Sequence, residues 1–272
     1  MLSKHRDVEV VDIDTDDCWI RDFGPSFVIH RQDGRVHAVD WRYNAWGGKY
    51  PPWDKDAAAA KSICQHRNLP CHPSSLCLEG GALETDGGGR LLTTPGCLVT
   101  DTRNPGWTAN DISRELYRRL GVSEIVWLDG GGLIGDDTDG HVDQLARFVD
   151  PTNVVAAVCD DPSDPNRRAL ESNFWQLRLW AEQTLPRVQV HRLPIPPARY
   201  IDGQRVPESY CNFFRLGPHR LLVPTFSAAS DQAALGLLGE LSDVDVEAVD
   251  CSDLVWGLGA LHCASRDQPA PQ

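Results

Sequence analysis

Leu76-Cys77-Leu78-Glu79-Gly80-Gly81, Val126-Trp127-Leu128-Asp129-Gly130-Gly131 and Leu254-Val255-Trp256-Gly257-Leu258-Gly259 are three versions of one pattern. In each, a short β-prone apolar run is stopped by glycines, as where a strand ends in a tight turn. Cys18-Trp19-Ile20-Arg21-Asp22-Phe23-Gly24-Pro25 and Ser209-Tyr210-Cys211-Asn212-Phe213 are looser versions. Counted at Asp22, Glu79, Asp129, Ser209 and Gly257, the turns recur at intervals that suit strand–helix units of similar size. Between them the sequence predicts a helix from Asn110 to Leu120, with Asp111 near its start and Gly121 to end it, and another from Asn166 to Leu185. Phe27-Val28-Ile29, Arg90-Leu91-Leu92-Thr93 and Leu221-Leu222-Val223-Pro224 read as further strands. Repeated β-plus-α units sharing one polar turn point to radial repetition about an axis, with the turn residues converging on a central site. A doubly wound sheet is the alternative. It lacks the expected phosphate-binding glycine fingerprint, because Asp86-Gly87-Gly88-Gly89 reads as a hairpin turn. No composition break divides the chain, so residues 1–272 are expected to form one domain, with a frayed tail from Ser265 to Gln272.

The 272 residues are ample for a sizeable core, and the 41% apolar and 24% charged composition is ordinary for a globular protein. The net charge of −13 argues against nucleic acid and anionic membranes as partners and favours a cationic ligand. No stretch is long and apolar enough to span a bilayer, and Met1-Leu2-Ser3-Lys4-His5-Arg6-Asp7 lacks the apolar segment of a signal peptide. Nine irregularly spaced cysteines then read as free thiols of a reducing cytoplasm. Cys64, Cys71 and Cys77 lie near His66 and His72, but their spacing matches no zinc-site pattern.

Four clusters are candidates for chemistry. They are Asp14 to Pro25, Glu79-Gly80-Gly81, Asp136-Asp137-Thr138-Asp139-Gly140-His141-Val142-Asp143, and Leu261-His262-Cys263. If Gly140 to Gln144 is extended, His141 and Asp143 share a face. A carboxylate beside an imidazole raises its pKa and fixes its orientation, as a general acid–base group near neutrality requires. Cys263 lies where a repeat turn should meet the axis, and a nearby imidazolium would stabilise its thiolate. His262, adjacent on the chain, should face the other way and reads as a packed or surface histidine. Carboxylates crowded around a cysteine disfavour the thiolate unless a cation enters. A guanidinium is such a cation, with N–H groups that carboxylates accept in pairs. Trp19 is placed to cover its face or its alkyl chain, or else belongs to the core.

Taken in order, these motifs resemble the agmatine deiminase/bacterial-type peptidylarginine deiminase family. The resemblance runs through Trp19 to Pro25, Tyr43-Asn44-Ala45-Trp46-Gly47-Gly48-Lys49-Tyr50, Leu78 to Gly81, Arg103-Asn104-Pro105, Asp137 to Asp143, Ser209 to Phe213 and His262-Cys263. The Asn44 to Tyr50 run looks more like the agmatine-directed members than the peptide-directed ones. The resemblance implies a five-fold pseudosymmetric α/β propeller with its active site on the axis. It implies Cys263 as nucleophile, His141 as proton shuttle, and Asp22, Glu79 and Asp143 gripping the guanidinium. Agmatine would yield ammonia and N-carbamoylputrescine, a step towards putrescine and the polyamines. No metal or organic cofactor is implied, and a homo-oligomer is left open.

Two departures from the family pattern bear on this. The family usually carries roughly one more propeller unit before the Trp19 motif, so the chain is expected to lack much of the first unit. The family also prefers small or polar residues where Leu258 and Ala260 stand. The alternatives are a deiminase of peptidyl-arginine or another small guanidine, and an inactive truncated homologue that binds polyamine-like cations.

Overall fold

One chain path is laid down four times: a one-turn helix, an antiparallel strand pair, a longer helix, and a third strand parallel to the second. The computed structural model describes residues 8–270, so the reading of residues 1–7 lies outside the described part. The first pass has the turn Ile20–Phe23, strands β1 (Ser26–Ile29) and β2 (Val36–Arg42), the helix Asp54–His66 and β3 (Cys71–Cys77). The second has the turn Gly80–Ala82, β4 (Glu84–Thr85), β5 (Arg90–Thr93), the helix Ala109–Leu120 and β6 (Glu124–Trp127). The third has the turn Val142–Gln144, β7 (Ala146–Asp150), β8 (Asn153–Val158), the helix Asn166–Ala181 and β9 (Gln189–Pro194).

A two-stranded hairpin, β10 (Tyr200–Ile201) with β11 (Gln204–Arg205), precedes the fourth pass. That pass has the turn Tyr210–Asn212, β12 (Phe214–Leu216), β13 (Arg220–Thr225), the helix Asp231–Leu241 and β14 (Asp245–Asp250). The four three-stranded sheets are separate, and each has the same antiparallel-then-parallel order. This is an α/β fold of repeated units.

Local chemistry explains the elements. Val154-Val155-Ala156-Ala157-Val158 has no polar side chain and is buried throughout, as a central strand covered on both faces requires. Each fully buried valine there contributes about 1.5–3 kcal/mol relative to exposure. Thr108 caps the helix Ala109–Leu120 through a reciprocal pair with Asp111, and Gly121 ends it in the left-handed conformation, φ +67°. The helix predicted from Asn166 stops at Ala181, short of Leu185. Asp86 to Gly89 does turn the β4–β5 hairpin. Among the described residues, three apolar cores lie between neighbouring units and a smaller one lies within the first. One joins β8 and β9 to β13 and the helix Asp231–Leu241 through Val155, Leu193, Tyr210, Val223 and Leu238.

The one-turn helices abut one another in chain order. Gly81 N–H donates to Asp22, Ser209 Oγ donates to the carbonyl of Gln144, and His262 N–H donates to the carbonyl of Asn212. Arg21 N–H donates to the carbonyl of Cys263 and brings the last turn back to the first. The tail is held as far as Asp267, contrary to the expected fraying. Arg266 donates to the Pro25 carbonyl and Ser26 Oγ, and Asp267 pairs with Arg21.

Candidate active site

Gly81 marks the centre where these turns meet. A β-carbon on it would lie 2.5 Å from His141 Nδ1, 2.9 Å from Asp22 Oδ1 and 3.1 Å from Asp143 Oδ2. The glycine therefore lets one acidic turn approach three ionisable side chains of two others.

Asp22 lies in the first turn, and its carboxylate is held on both sides. Oδ1 accepts from Gly81 N–H at 3.0 Å, and Oδ2 accepts from the Trp46 indole at 2.9 Å. Burial pushes its pKa up, opposed by His141 and reinforced by Glu79. Glu79 lies between β3 and the second turn. Arg103 Nε donates to both of its oxygens, at 2.8 and 3.0 Å. Burial would raise this carboxyl as well, but His141 and Arg103 outweigh burial and hold it below the usual range.

The His141 ring sits between these two acids, with Nδ1 3.7 Å from Asp22 and Nε2 3.5 Å from Glu79. These are ion-pair distances, longer than hydrogen bonds. Burial lowers its pKa, yet Asp22, Glu79 and Asp143 together bring it up to about 9. The expectation that Gly140 to Gln144 is extended is corrected. Val142–Gln144 is a helical turn, and Asp143 faces His262 and Cys263. Asp22 and Glu79 flank the imidazole instead. Asp143 itself is pushed up to about 7, first by burial, with His141 opposing and Asp22 adding to the rise.

Cys263 is buried, and its thiol lies 3.7 Å from Asp143 Oδ2. Burial, then Asp143, then Asp22 push it well above the ordinary thiol value. His262 does not project away from this centre. It is buried, with Nδ1 2.7 Å from the same Asp143 oxygen. Burial, followed by the cations Arg147, Arg21 and Arg266, holds its pKa well below the usual value, so it is a neutral, packed histidine. Trp19 is half-buried, and its ring packs on Gly257 and Gly259, where added β-carbons would meet it at 2.8 and 2.6 Å. A β-carbon on Gly259 would also lie 2.9 Å from Cys263 Cβ, so Trp19 covers the segment carrying the thiol. Leu258, between those glycines, has φ +68°, a conformation that favours glycine.

The structure thus brings together Asp22, Glu79, His141, Asp143 and Cys263, with Trp19 alongside. It does not bring in Asp129, which is exposed. Its N–H and that of Gly130 are held by Gln176 and Asn173 of the helix Asn166–Ala181. After the detour 129–140, His141 takes the place between Asp22 and Glu79 instead. Arg103, Trp46, Asn212 and the role of His262 were not assigned from the sequence, although each lies in or beside a quoted motif. A cleft of about 720 Å³ adjoins the centre, lined by residues including Lys49, Thr102, Asp136, Asp139 and Gly140. Asp139 Oδ2 accepts from Arg103 and from Lys49, linking the cleft wall to Glu79.

Cys64, Cys71 and Cys77 are free thiols. Away from the centre, His30, Asp33 and His37 bring three potential ligand atoms within 4.8 Å of one another. The two imidazoles are stacked 4.2 Å apart at 5°, so their in-plane lone pairs run in parallel planes and cannot share one ion. Among the described residues, no helix is long and apolar enough to cross a membrane.

Known proteins share this fold. An agmatine deiminase of Pseudomonas fluorescens is 35% identical over 289 residues, covering 97% of this chain and 78% of that protein. A solved C. jejuni agmatine deiminase with substrate bound, a cysteine-to-serine variant, superposes with a TM-score of 0.89 at 29% identity, covering 97% of this chain and 77% of that one. The Enterococcus faecalis agmatine deiminase gives 0.87 at 29%, covering 96% and 77%. With its ordered motifs, its shared fold and a profile match spanning residues 1–269, the chain belongs to the Porphyromonas-type peptidyl-arginine deiminase family.

Proposed function

We propose that this protein is a hydrolase of the guanidino C–N bond that converts agmatine to N-carbamoylputrescine and ammonia. The observation that carries the reading is a thiol, Cys263, set 3.7 Å from Asp143 in a centre where Asp22, Glu79 and His141 are all buried. Both ring nitrogens of His141 and Asp143 Oδ1 are buried without hydrogen-bond partners among the described residues. Such groups are costly unless a ligand meets them, and a guanidinium meets carboxylates in pairs. Agmatine is preferred to other guanidines because the named relatives and substrate-bound neighbour are agmatine deiminases.

In this reading Asp22, Glu79 and Asp143 accept the guanidinium N–H groups, and Trp19 closes over the ligand. The incoming cation offsets the carboxylates around Cys263, so the thiol releases its proton to solvent as substrate binds and regains one when product leaves. Sγ adds to the guanidinium carbon. His141, protonated at neutral pH, gives its proton to one nitrogen, which leaves as ammonia and yields a cationic thiouronium bound to Cys263. Neutral His141 then takes a proton from water. The hydroxide adds to the same carbon, and collapse expels the thiolate and the ureido product, the surplus proton leaving on ammonia as ammonium. The four like units are, on this view, part of the five-fold α/β propeller of the family, one domain over 1–272 with its polar turns on the axis. The hydrogen bonds between turns, which also join the last turn to the first, support that arrangement. The free thiols are in keeping with a cytoplasmic enzyme.

The test is direct. Purified protein incubated with agmatine should release ammonia and N-carbamoylputrescine in equal amounts, and Cys263→Ala should release neither. Parallel assays on free arginine and a peptidyl-arginine fix the substrate. Turnover of those two but not of agmatine, or of none of the three, would sink the reading.

A further inference from the structure

Asn212 closes the fourth turn, Tyr210–Asn212, and is fully buried. The mechanism above assigns it nothing, yet its whole amide faces the nucleophile's segment. Oδ1 accepts from the main-chain N–H of His262 at 3.0 Å and of Cys263 at 3.2 Å, across 50 and 51 residues of chain. Nδ2 lies 3.1 Å from Cys263 Sγ. The orientation of this amide is dictated by its surroundings, since two N–H donors can only meet the oxygen. The nitrogen therefore faces the sulfur.

The charged groups packed around Sγ come from two turns, the first and the third. Asp143 lies at 3.7 Å, Asp22 opposes it from the first turn, and His141 lies beyond them. His262 is neutral and bonded to Asp143, and Arg21 reaches the His262 carbonyl through Nε. The near charges are thus anionic, and a thiolate there needs neutral donors. Asn212 Nδ2 is one, and the main chain at Ala260 supplies the other.

Resting on the reading of Cys263 as nucleophile, we propose that Asn212 is a catalytic residue: its Nδ2–H holds the Cys263 thiolate, while its Oδ1 fixes the main chain that carries the thiol. No bond to Asn212 forms or breaks; the hydrogen bond shortens as sulfur gains charge and relaxes when the thiouronium forms.

Asn212→Asp keeps an oxygen for both main-chain N–H groups, removes the donor to sulfur and sets a carboxylate in its place, so the uncharged Asn212→Ser is needed beside it to separate lost donor from added charge. Alkylation of Cys263 by iodoacetamide, followed by peptide mass spectrometry at fixed mildly alkaline pH, reads the thiolate without any guanidine. The rate should fall by at least tenfold to a hundredfold, the scale of one hydrogen bond to a charged group, in a variant that circular dichroism shows to be folded. Asn212→Ser, uncharged and too short to reach Sγ, should move it the same way. In the native protein, the Asn212 Nδ2–H resonance should shift in step with Cys263 ionisation, which keeps the test decisive should both variants fail to fold. Native alkylation rates in a folded variant, or a resonance blind to the thiol, overturn the proposal. Loss of agmatine turnover in the wild type with the alkylation effect intact would overturn the agmatine reading alone.

Discussion

Arg103 and Glu79 form an ion pair in which neither side chain has any solvent exposure, with Nε of the one bridging both oxygens of the other at 2.8 and 3.0 Å. The guanidinium continues outward to Asp139 and to the carbonyl of Thr138. It therefore holds Glu79 ionised at the centre and ties down the 129–140 detour that delivers His141. Arg103→Met strands a buried carboxylate, and the expected loss is about 3–5 kcal/mol of stability, read by urea denaturation. Arg103→Lys keeps the charge but not the fork and should lose less stability. A variant as stable as the parent would show that Glu79 has another counter-ion.

Gly81 tests the packing of the centre without removing any ionisable group. Its backbone lies in an ordinary region, so the strain of Gly81→Ala is the contact of the new β-carbon with His141 Nδ1 at 2.5 Å, and less closely with Asp22 Oδ1 and Asp143 Oδ2 at 2.9 and 3.1 Å. Displacing the ring by that contact should lower kcat/KM about 100-fold, the scale of an ångström's misplacement, while circular dichroism and melting temperature stay near the parent's. Unchanged kinetics would mean that the imidazole does not need its present position.

The pH dependence of stability follows from His141. Its pKa is about 9 in the fold against about 6.5 in an unfolded chain. A group raised on folding stabilises fully below its unfolded value, and that contribution is lost as pH rises through the folded value. Denaturant midpoints should therefore decline from neutral pH to beyond 9 in the parent and decline less in His141→Gln. Asp143, also raised, acts with the same sign at lower pH, from the ordinary carboxyl range up to about 7. Identical slopes for parent and variant would contradict a charged His141 in the folded protein.

Much of the fold could be read from the chain because its punctuation is local. Glycine-stopped strands, the Thr108–Asp111 cap and the Asp86 to Gly89 hairpin act within a few residues. The helix Asp54–His66 was not anticipated, because its alanine run carries little of the apolar periodicity that marks a helix. Asp129 was placed on the axis because its turn reads like that of Glu79. What sends it outward is the helix Asn166–Ala181, more than forty residues away in the chain. The site residues that were anticipated carry reactive groups beside such turns. Those that were not act through pairings local spacing does not show: Arg103 with Glu79 across 24 residues, Asn212 with Cys263 across 51, and His262 with Asp143 across 119.

The bond from Arg21 N–H to the Cys263 carbonyl, with the Arg266 and Asp267 contacts beside it, has a consequence for how the protein comes into being. The thiol and the first carboxylate that faces it stand 241 positions apart in the sequence. A ribosome must emit everything between them before they meet. Contacts of such long sequence separation form slowly, so the segments carrying the carboxylates and the imidazole leave the ribosome well before the sulfur, and the site assembles only when Cys263 arrives.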